Sequence, residues 1–343
     1  MRRRASIAAM PLLRISRKAT SLLLAASSHV AGSLVAGSLV APAALAATGA
    51  LPSASASRGT STRTPRVLLA LGDSLAAGYQ PTDGKKAPPT DPATGFPDQG
   101  YPGSYPADVA RRLGFGLVDL GCPGETTTSM SSTPAEPACA SAYRGEFGAS
   151  SQLAAARSYL GRHRGEVSLV TLDIGANDVD ACLSPANVNL ACLARARADI
   201  SSRLPRILAS IRAALAVDDP GARLVAMNYY DPFLAAAYRP GGAKGTAEAA
   251  LSVVVADGLN AILTSIYHRD RVPVANVAGE FRTGTITPLL PYGGRALPAD
   301  VAYVCRWTWM CPVSGSIDSA DIHPDASGYS AIATAFEKIL LPG

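Results

Sequence analysis

Five short apolar runs, separated by helical patterns, constrain this chain more than any other feature. The runs are Arg66–Leu71, Leu117–Leu120, Val167–Ile174, Arg223–Asn228 and Val272–Val277. Between and after them, apolar residues recur at helical spacing in Tyr105–Leu113, Gln152–Arg164, Leu190–Ala216, Thr246–His268 and Ser327–Leu340. Strand alternating with helix predicts a parallel sheet covered on both faces, hence three α/β/α layers. Right-handed crossovers then bring every strand's carboxyl end to one edge, where open α/β sheets place their chemistry. No internal repeat interrupts the alternation. Two long stretches do, Asp83 to Gly103 and Glu280 to Ile322, and both are expected to be loops with functional roles.

The first run ends in Gly72-Asp73-Ser74, with Leu75-Ala76-Ala77-Gly78 after it. A serine hydroxyl is thereby set at the carboxyl end of a buried strand. Taken alone, Gly-Asp-Ser is also ordinary helix-capping sequence. A serine nucleophile needs a base, and acyl transfer needs donors for an oxyanion. The chain has four histidines. His29 lies in the basic amino-terminal segment. His163 and His268 precede the third and fifth runs, at the sheet edge opposite Ser74, and suit the ends of helices. Only His323 sits in a segment able to return to the active edge. Ser74 is therefore the candidate nucleophile and His323 the candidate base. Asp73 is expected to hold the turn, and Asp178 to brace its own loop.

Four blocks occur in order: Gly72-Asp73-Ser74-Leu75, Gly121-Cys122-Pro123-Gly124, Gly175-Ala176-Asn177-Asp178 and Asp321-Ile322-His323-Pro324. Over about residues 66–340 the chain resembles the GDSL, or SGNH, hydrolase superfamily, in its secreted actinobacterial-type esterase and lipase form. The resemblance implies a flavodoxin-like five-stranded parallel sheet and a carboxylic ester hydrolase that needs no cofactor or metal. It also implies an oxyanion hole made by the Ser74 amide, the Gly124 amide and the Asn177 side chain. Such roles suit a glycine, which lets backbone approach a ligand closely, and an asparagine, a donor that stays neutral. The family's last block usually reads Asp-x-x-His, whereas Ala320 stands three residues before His323. That leaves two acceptors for the second imidazole nitrogen, the Asp321 carboxylate or a main-chain carbonyl. Ala320 favours the carbonyl, and with it a mild effect of Asp321→Asn.

The first 46 residues carry six basic side chains and no acid, and end in Ala44-Leu45-Ala46. They are expected to be a secretory signal peptide. Residues 47–65, dominated by Ser, Thr, Ala, Gly and Pro, are expected to be a disordered linker before a hydrolase domain at 66–343. Without those six cations the chain has 25 basic and 26 acidic residues. This gives no electrostatic case for nucleic acid or an anionic membrane. After cleavage no stable membrane span is expected, and the protein is expected to be a secreted monomer. Cys122, Cys139, Cys182, Cys192, Cys305 and Cys311 form an even set behind a signal, which predicts disulfides. Six cysteines allow fifteen pairings. The sequential one, Cys122–Cys139, Cys182–Cys192 and Cys305–Cys311, is the most economical. Zinc is disfavoured, because no C-x-x-C pair occurs and no histidine clusters with them.

The expected substrate is a lipid or other acyl ester. A carbohydrate or cell-wall O-acetyl ester is the alternative, and an exported lipid- or glycan-binding protein on a hydrolase scaffold is the non-enzyme alternative. Trp307-Thr308-Trp309-Met310 reads equally as a disulfide-pinned cover for the core or as an apolar wall of an acyl pocket. Phe233–Ala237 with Tyr238 is a second candidate wall or lid.

Overall fold

A computed structural model describes residues 66–81, 103–184, 187–238, 242–311 and 320–341. The expected signal peptide, the linker and nearly all of the 83–103 stretch lie outside the described residues. The apolar runs form strands β1 (Val67–Gly72), β2 (Gly116–Asp119), β3 (Val167–Asp173), β4 (Arg223–Met227) and β5 (Val274–Ala275). They pair in parallel in the order β2-β1-β3-β4-β5. β1 is buried along its whole length between two neighbours, with Leu69 opposite Val118 on one side and Val170 on the other. An unbroken apolar run is what a strand covered on both faces requires. β5 is shorter than the predicted Val272–Val277. Asn276 accepts a hydrogen bond from Gly279 N and turns the chain into a helix there.

The helices are α1 (Tyr105–Leu113), α2 (Pro137–Phe147), α3 (Gln152–Arg162), α4 (Ala176–Asp180), α5 (Leu190–Asp218), α6 (Ala243–Arg269), α7 (Val277–Glu280), α8 (Ala299–Trp307) and α9 (Ala326–Leu340). One group packs α1, α7 and α8 around α9, and another packs α3 and α6 on α5. Tyr105 of α1 stacks on Phe336 of α9, both fully buried, with ring centroids 5.0 Å apart. The α1 ends are set locally. Ser104 accepts from Ala107 N, and Gly114 closes the helix in the left-handed region at φ 68°.

The stretch Glu280–Ile322 is not the loop it was expected to be. Its described part contains a hairpin, Leu290–Tyr292 with Arg295–Leu297, and helix α8. Val301 and Val304, one helical turn apart, bury this helix in the core, and Pro298 marks its start. α6 is apolar enough, and Lys244–Arg269 long enough, to cross a membrane by length and composition. In the fold it buries Leu259, Leu263, Ile266 and Tyr267 in the core. The six cysteines form three disulfides, Cys122–Cys139, Cys182–Cys192 and Cys305–Cys311. Each ties the segment following β2, α4 or α8 to its surroundings.

Candidate active site

Ser74 follows β1 on a turn fixed from beneath. Gly72 N donates to Gln152 Oε1 and Gly72 O accepts from Gln152 Nε2, both at 2.8 Å. Gly72 adopts φ +151°, and a Cβ there would lie 2.3 Å from Asp173 Oδ1, so the position admits only glycine. Asp173, the last residue of β3, accepts from Asp73 N and Ala76 N through Oδ2, each at 3.2 Å. Its Oδ1 accepts from the Tyr105 hydroxyl at 2.6 Å. Asp73 in turn accepts from Leu75 N at 2.9 Å and from the Tyr229 hydroxyl at 2.9 Å. Two buried carboxyls thus grip the residues on both sides of Ser74. Burial raises the proton affinity of both, and Asp173, repelled by Asp73 as well, is held well above the ordinary carboxyl range. Sequence inspection missed Asp173, although an acid closing an otherwise apolar strand is a visible signal. Among the described residues Ser74 N and Gly124 N have no protein acceptor.

His323 arrives from the other end of the chain. Its Nε2 lies 2.7 Å from Ser74 Oγ. Its Nδ1 lies 2.6 Å from Asp321 Oδ1, and the same oxygen accepts from the His323 main-chain N–H at 2.9 Å. The carboxylate, not a main-chain carbonyl, therefore faces the imidazole, which the Ala320 departure had not favoured. Burial alone would raise the Asp321 carboxyl. The two hydrogen bonds and the charge of His323 outweigh it and hold the group below its usual range.

The loop that carries His323 is braced by Trp307–Trp309. Trp309 N donates to His323 O and Asp321 N donates to Trp309 O, both at 3.1 Å. Asp325 N donates to Trp307 O at 3.0 Å. Gln80 links the two halves of the site, donating to Pro324 O at 2.8 Å and accepting from Trp309 Nε1 at 3.1 Å. Trp307 packs edge-on against Phe281, and none of residues 307–310 lines the cleft beside Ser74. The stretch is a brace for the histidine loop rather than a pocket wall.

Asn177 is the second residue of α4, which Gly175 caps, and its Nδ2 donates to Glu125 O at 3.0 Å. Asp178 accepts from Thr127 N at 2.9 Å and from the Thr127 hydroxyl at 2.6 Å. The second and third blocks are therefore stitched together. Gly124, at φ +76°, is exposed, lies two residues after Cys122 of the Cys122–Cys139 link, and is not among the residues lining the cleft that holds Ser74.

Ser74, Asn177 and His323 line one cleft enclosing about 650 Å³, open solvent included. Its walls include Val179, Leu183, Phe233, Val255, Leu259 and Ile322. Phe233 thus forms a wall, as one of the two expectations for its segment held. Three acids also line it, Asp73, Asp180 and Asp231. Burial is the main cause of the rise of Asp180 to about 7 and of Asp231 to about 6. Among the described residues no group of three or more His, Cys, Asp or Glu side chains is arranged to hold a metal ion.

No curated protein matches the chain. In fold the chain is similar to an extracellular lipase from Streptomyces rimosus, at 22% identity and TM-score 0.47, over 80% of this chain and 99% of that one. It is also similar to phospholipase A1 from Streptomyces albidoflavus NA297, at 22% identity and TM-score 0.47, over 79% and 98%. A third similarity is to Est24, a carbohydrate acetylesterase from Sinorhizobium meliloti, at 12% identity and TM-score 0.42, over 80% and 98%. The model of the GDSL-like lipase/acylhydrolase family matches residues 70–331, spanning all four blocks that carry Ser74, Gly124, Asn177 and His323, and the chain belongs to that family.

Proposed function

We propose that this chain is a secreted serine ester hydrolase in which Ser74 is the nucleophile, His323 the general base and Asp321 the residue that orients and stabilises the imidazole. One observation carries the assignment: a single imidazole bridges the Ser74 hydroxyl at 2.7 Å and the Asp321 carboxylate at 2.6 Å. His323 Nε2 takes the Ser74 proton as Oγ bonds to the ester carbonyl carbon. The carbonyl π electrons move to oxygen, and Ser74 N, Gly124 N and Asn177 Nδ2 receive the oxyanion. His323 then returns the proton to the departing alkoxide, which leaves as the alcohol. Water attacks the acyl-enzyme by the same route in reverse, releasing the acid and restoring Ser74.

The substrate is a carboxylic ester with an acyl chain, in keeping with the apolar walls around Ser74. Residues 1–46 act as the secretory signal, 47–65 as a linker and 66–343 as the hydrolase domain. Three disulfides suit an oxidising compartment outside the cytosol.

A fluorophosphonate probe tests this directly. Wild-type protein should be labelled at one site and hydrolyse p-nitrophenyl butyrate. Ser74→Ala should lose the label and at least about a thousandfold in kcat, with an unchanged circular dichroism spectrum. Labelling of Ser74→Ala to the wild-type extent would refute the assignment. Phospholipids, acetylated sugars and p-nitrophenyl esters of increasing length, compared side by side, would define the substrate.

A further inference from the structure

Among the described residues, Asp180 is the one acid of the cleft whose side chain has no hydrogen bond to the protein. Asp73 is engaged through both oxygens, by Leu75 N and the Tyr229 hydroxyl. Asp231 is also engaged through both, by Phe233 N at 2.9 Å and by the Ser252 hydroxyl at 2.6 Å. Asp180 lines the same cavity, half-buried beside Val179 and Leu183, and among the described residues nothing donates to its carboxyl. Its oxygens are open to the cleft rather than sealed in the protein, so a ligand can reach them. Asp180 and Asn177 are three residues apart on α4, so they share a face of that helix with Cβ atoms about 5–6 Å apart. With the ester carbonyl oxygen at Asn177, Asp180 is one helical turn away and within reach of the ester's alcohol portion.

The character of that partner follows from the lining. The cleft is lined by three carboxyls and, among the described residues, by no lysine or arginine. Above about pH 7, where Asp180 and Asp231 are ionised, an anionic headgroup or a free carboxylate product meets repulsion there, whereas a cation is drawn in. Val179, Leu183, Phe233, Val255, Leu259 and Ile322 make much of the remaining wall apolar, which suits an alkylated cation better than a strongly hydrated one. An ammonium two methylenes beyond an ester oxygen lies roughly 5 Å from the carbonyl carbon, close to the spacing of the two side chains.

We propose that Asp180 is a specificity-determining residue whose carboxylate receives an ammonium group carried on the alcohol portion of the ester. This rests on the placement of the scissile carbonyl in the proposed function above. Butyrylcholine and its uncharged carbon isostere, 3,3-dimethylbutyl butyrate, differ only in the charge. Wild-type kcat/KM should favour the cationic ester by about tenfold or more, beyond what a solvent-exposed ion pair supplies. In Asp180→Asn the ratio should fall to near one. Equal rates on the two esters in wild type, or a preference retained in Asp180→Asn, would overturn the proposal. p-Nitrophenyl butyrate in the same series reports the catalytic assignment separately. If wild type hydrolyses none of these esters, calorimetric titration of Ser74→Ala with butyrylcholine still decides the point. Binding that disappears in Ser74→Ala/Asp180→Asn sustains the site, and binding that is absent or unaffected refutes it.

Discussion

Replacing Asp321 by asparagine should slow ester hydrolysis about 30- to 150-fold, less than removing the acceptor altogether. Asp321 Oδ1 accepts from two donors of the same residue, His323 N at 2.9 Å and His323 Nδ1 at 2.6 Å. The main-chain N–H will keep an oxygen in this place in the asparagine variant too. The imidazole then retains the tautomer with its proton on Nδ1 and the lone pair toward Ser74. What disappears is the negative charge that stabilises the imidazolium. Unit charges about 4 Å apart interact by ~4 kcal/mol at an effective dielectric constant of about 20. The two side chains are 13% and 26% exposed, so water screens part of this. About 2–3 kcal/mol remains, which is ~30- to 150-fold in rate.

Asp321→Ala loses the orienting hydrogen bond as well, so its rate should fall about a thousandfold. Both losses stay below the ~10⁴-fold of a triad whose asparagine forces the wrong tautomer. Turnover of p-nitrophenyl butyrate at pH 8 by the Asn, Ala and His323→Ala variants, each checked for folding, would measure the series. An Asn variant within about threefold of wild type would show that the charge does no catalytic work. An Asn variant as slow as the Ala variant would show that the main-chain N–H does not hold the oxygen.

Asp173→Ala should strand three buried donors, Asp73 N, Ala76 N and the Tyr105 hydroxyl, at ~1–3 kcal/mol each, enough to consume most of a typical domain's stability. Asp173→Asn keeps one acceptor oxygen for the two amides and should cost no more than about 2 kcal/mol; urea denaturation of both variants checks this, and an Ala variant as stable as the Asn variant would refute it. Stability should fall as pH rises from about 4 to 7, because burial lifts Asp119 and Glu125 to about 7 in the fold, so the folded chain binds more protons than the unfolded chain across that window. Melting temperatures from pH 5 to 8 test this, with a shallower fall expected in Asp119→Asn and a flat or rising wild-type profile counting against it.

The sheet was legible because its central strands β1 and β3 are buried almost throughout and so must be written as apolar runs, with shorter apolar runs marking the strands beside them. Ser74 and Asn177 could be placed on one edge from strand direction alone, and His323 from the lack of another histidine able to reach that edge. The parts that stayed hidden depend on contacts remote in sequence. Helix α8 lies inside a stretch crowded with Pro, Gly and aromatic residues, and only its burial against α9 and the 232–237 turn explains it. The partner of His323 stayed open because a fixed spacing of three residues was the expected signal. An acid two residues away serves through a local turn in which its oxygen bonds the main-chain N–H and the ring of the same histidine.

The same distinction explains why the proposed nucleophile was visible and its support was not. A reactive side chain is recognisable by type, whereas a residue that holds it still is recognisable only by what it touches. Asp173 reads as an oddity at the end of an apolar strand until its three donors are known, two of them the amides on either side of Ser74. Trp309 reads as an exposed aromatic until its main chain is seen to bond both His323 and Asp321. These two clamps come from chain segments more than a hundred residues apart, β3 and the turn after α8. Between them they fix the serine from below and the histidine from behind. The 2.7 Å hydrogen bond between Nε2 and Oγ is therefore set by the framework before any ester enters, and little reorganisation is left for the proposed proton transfer.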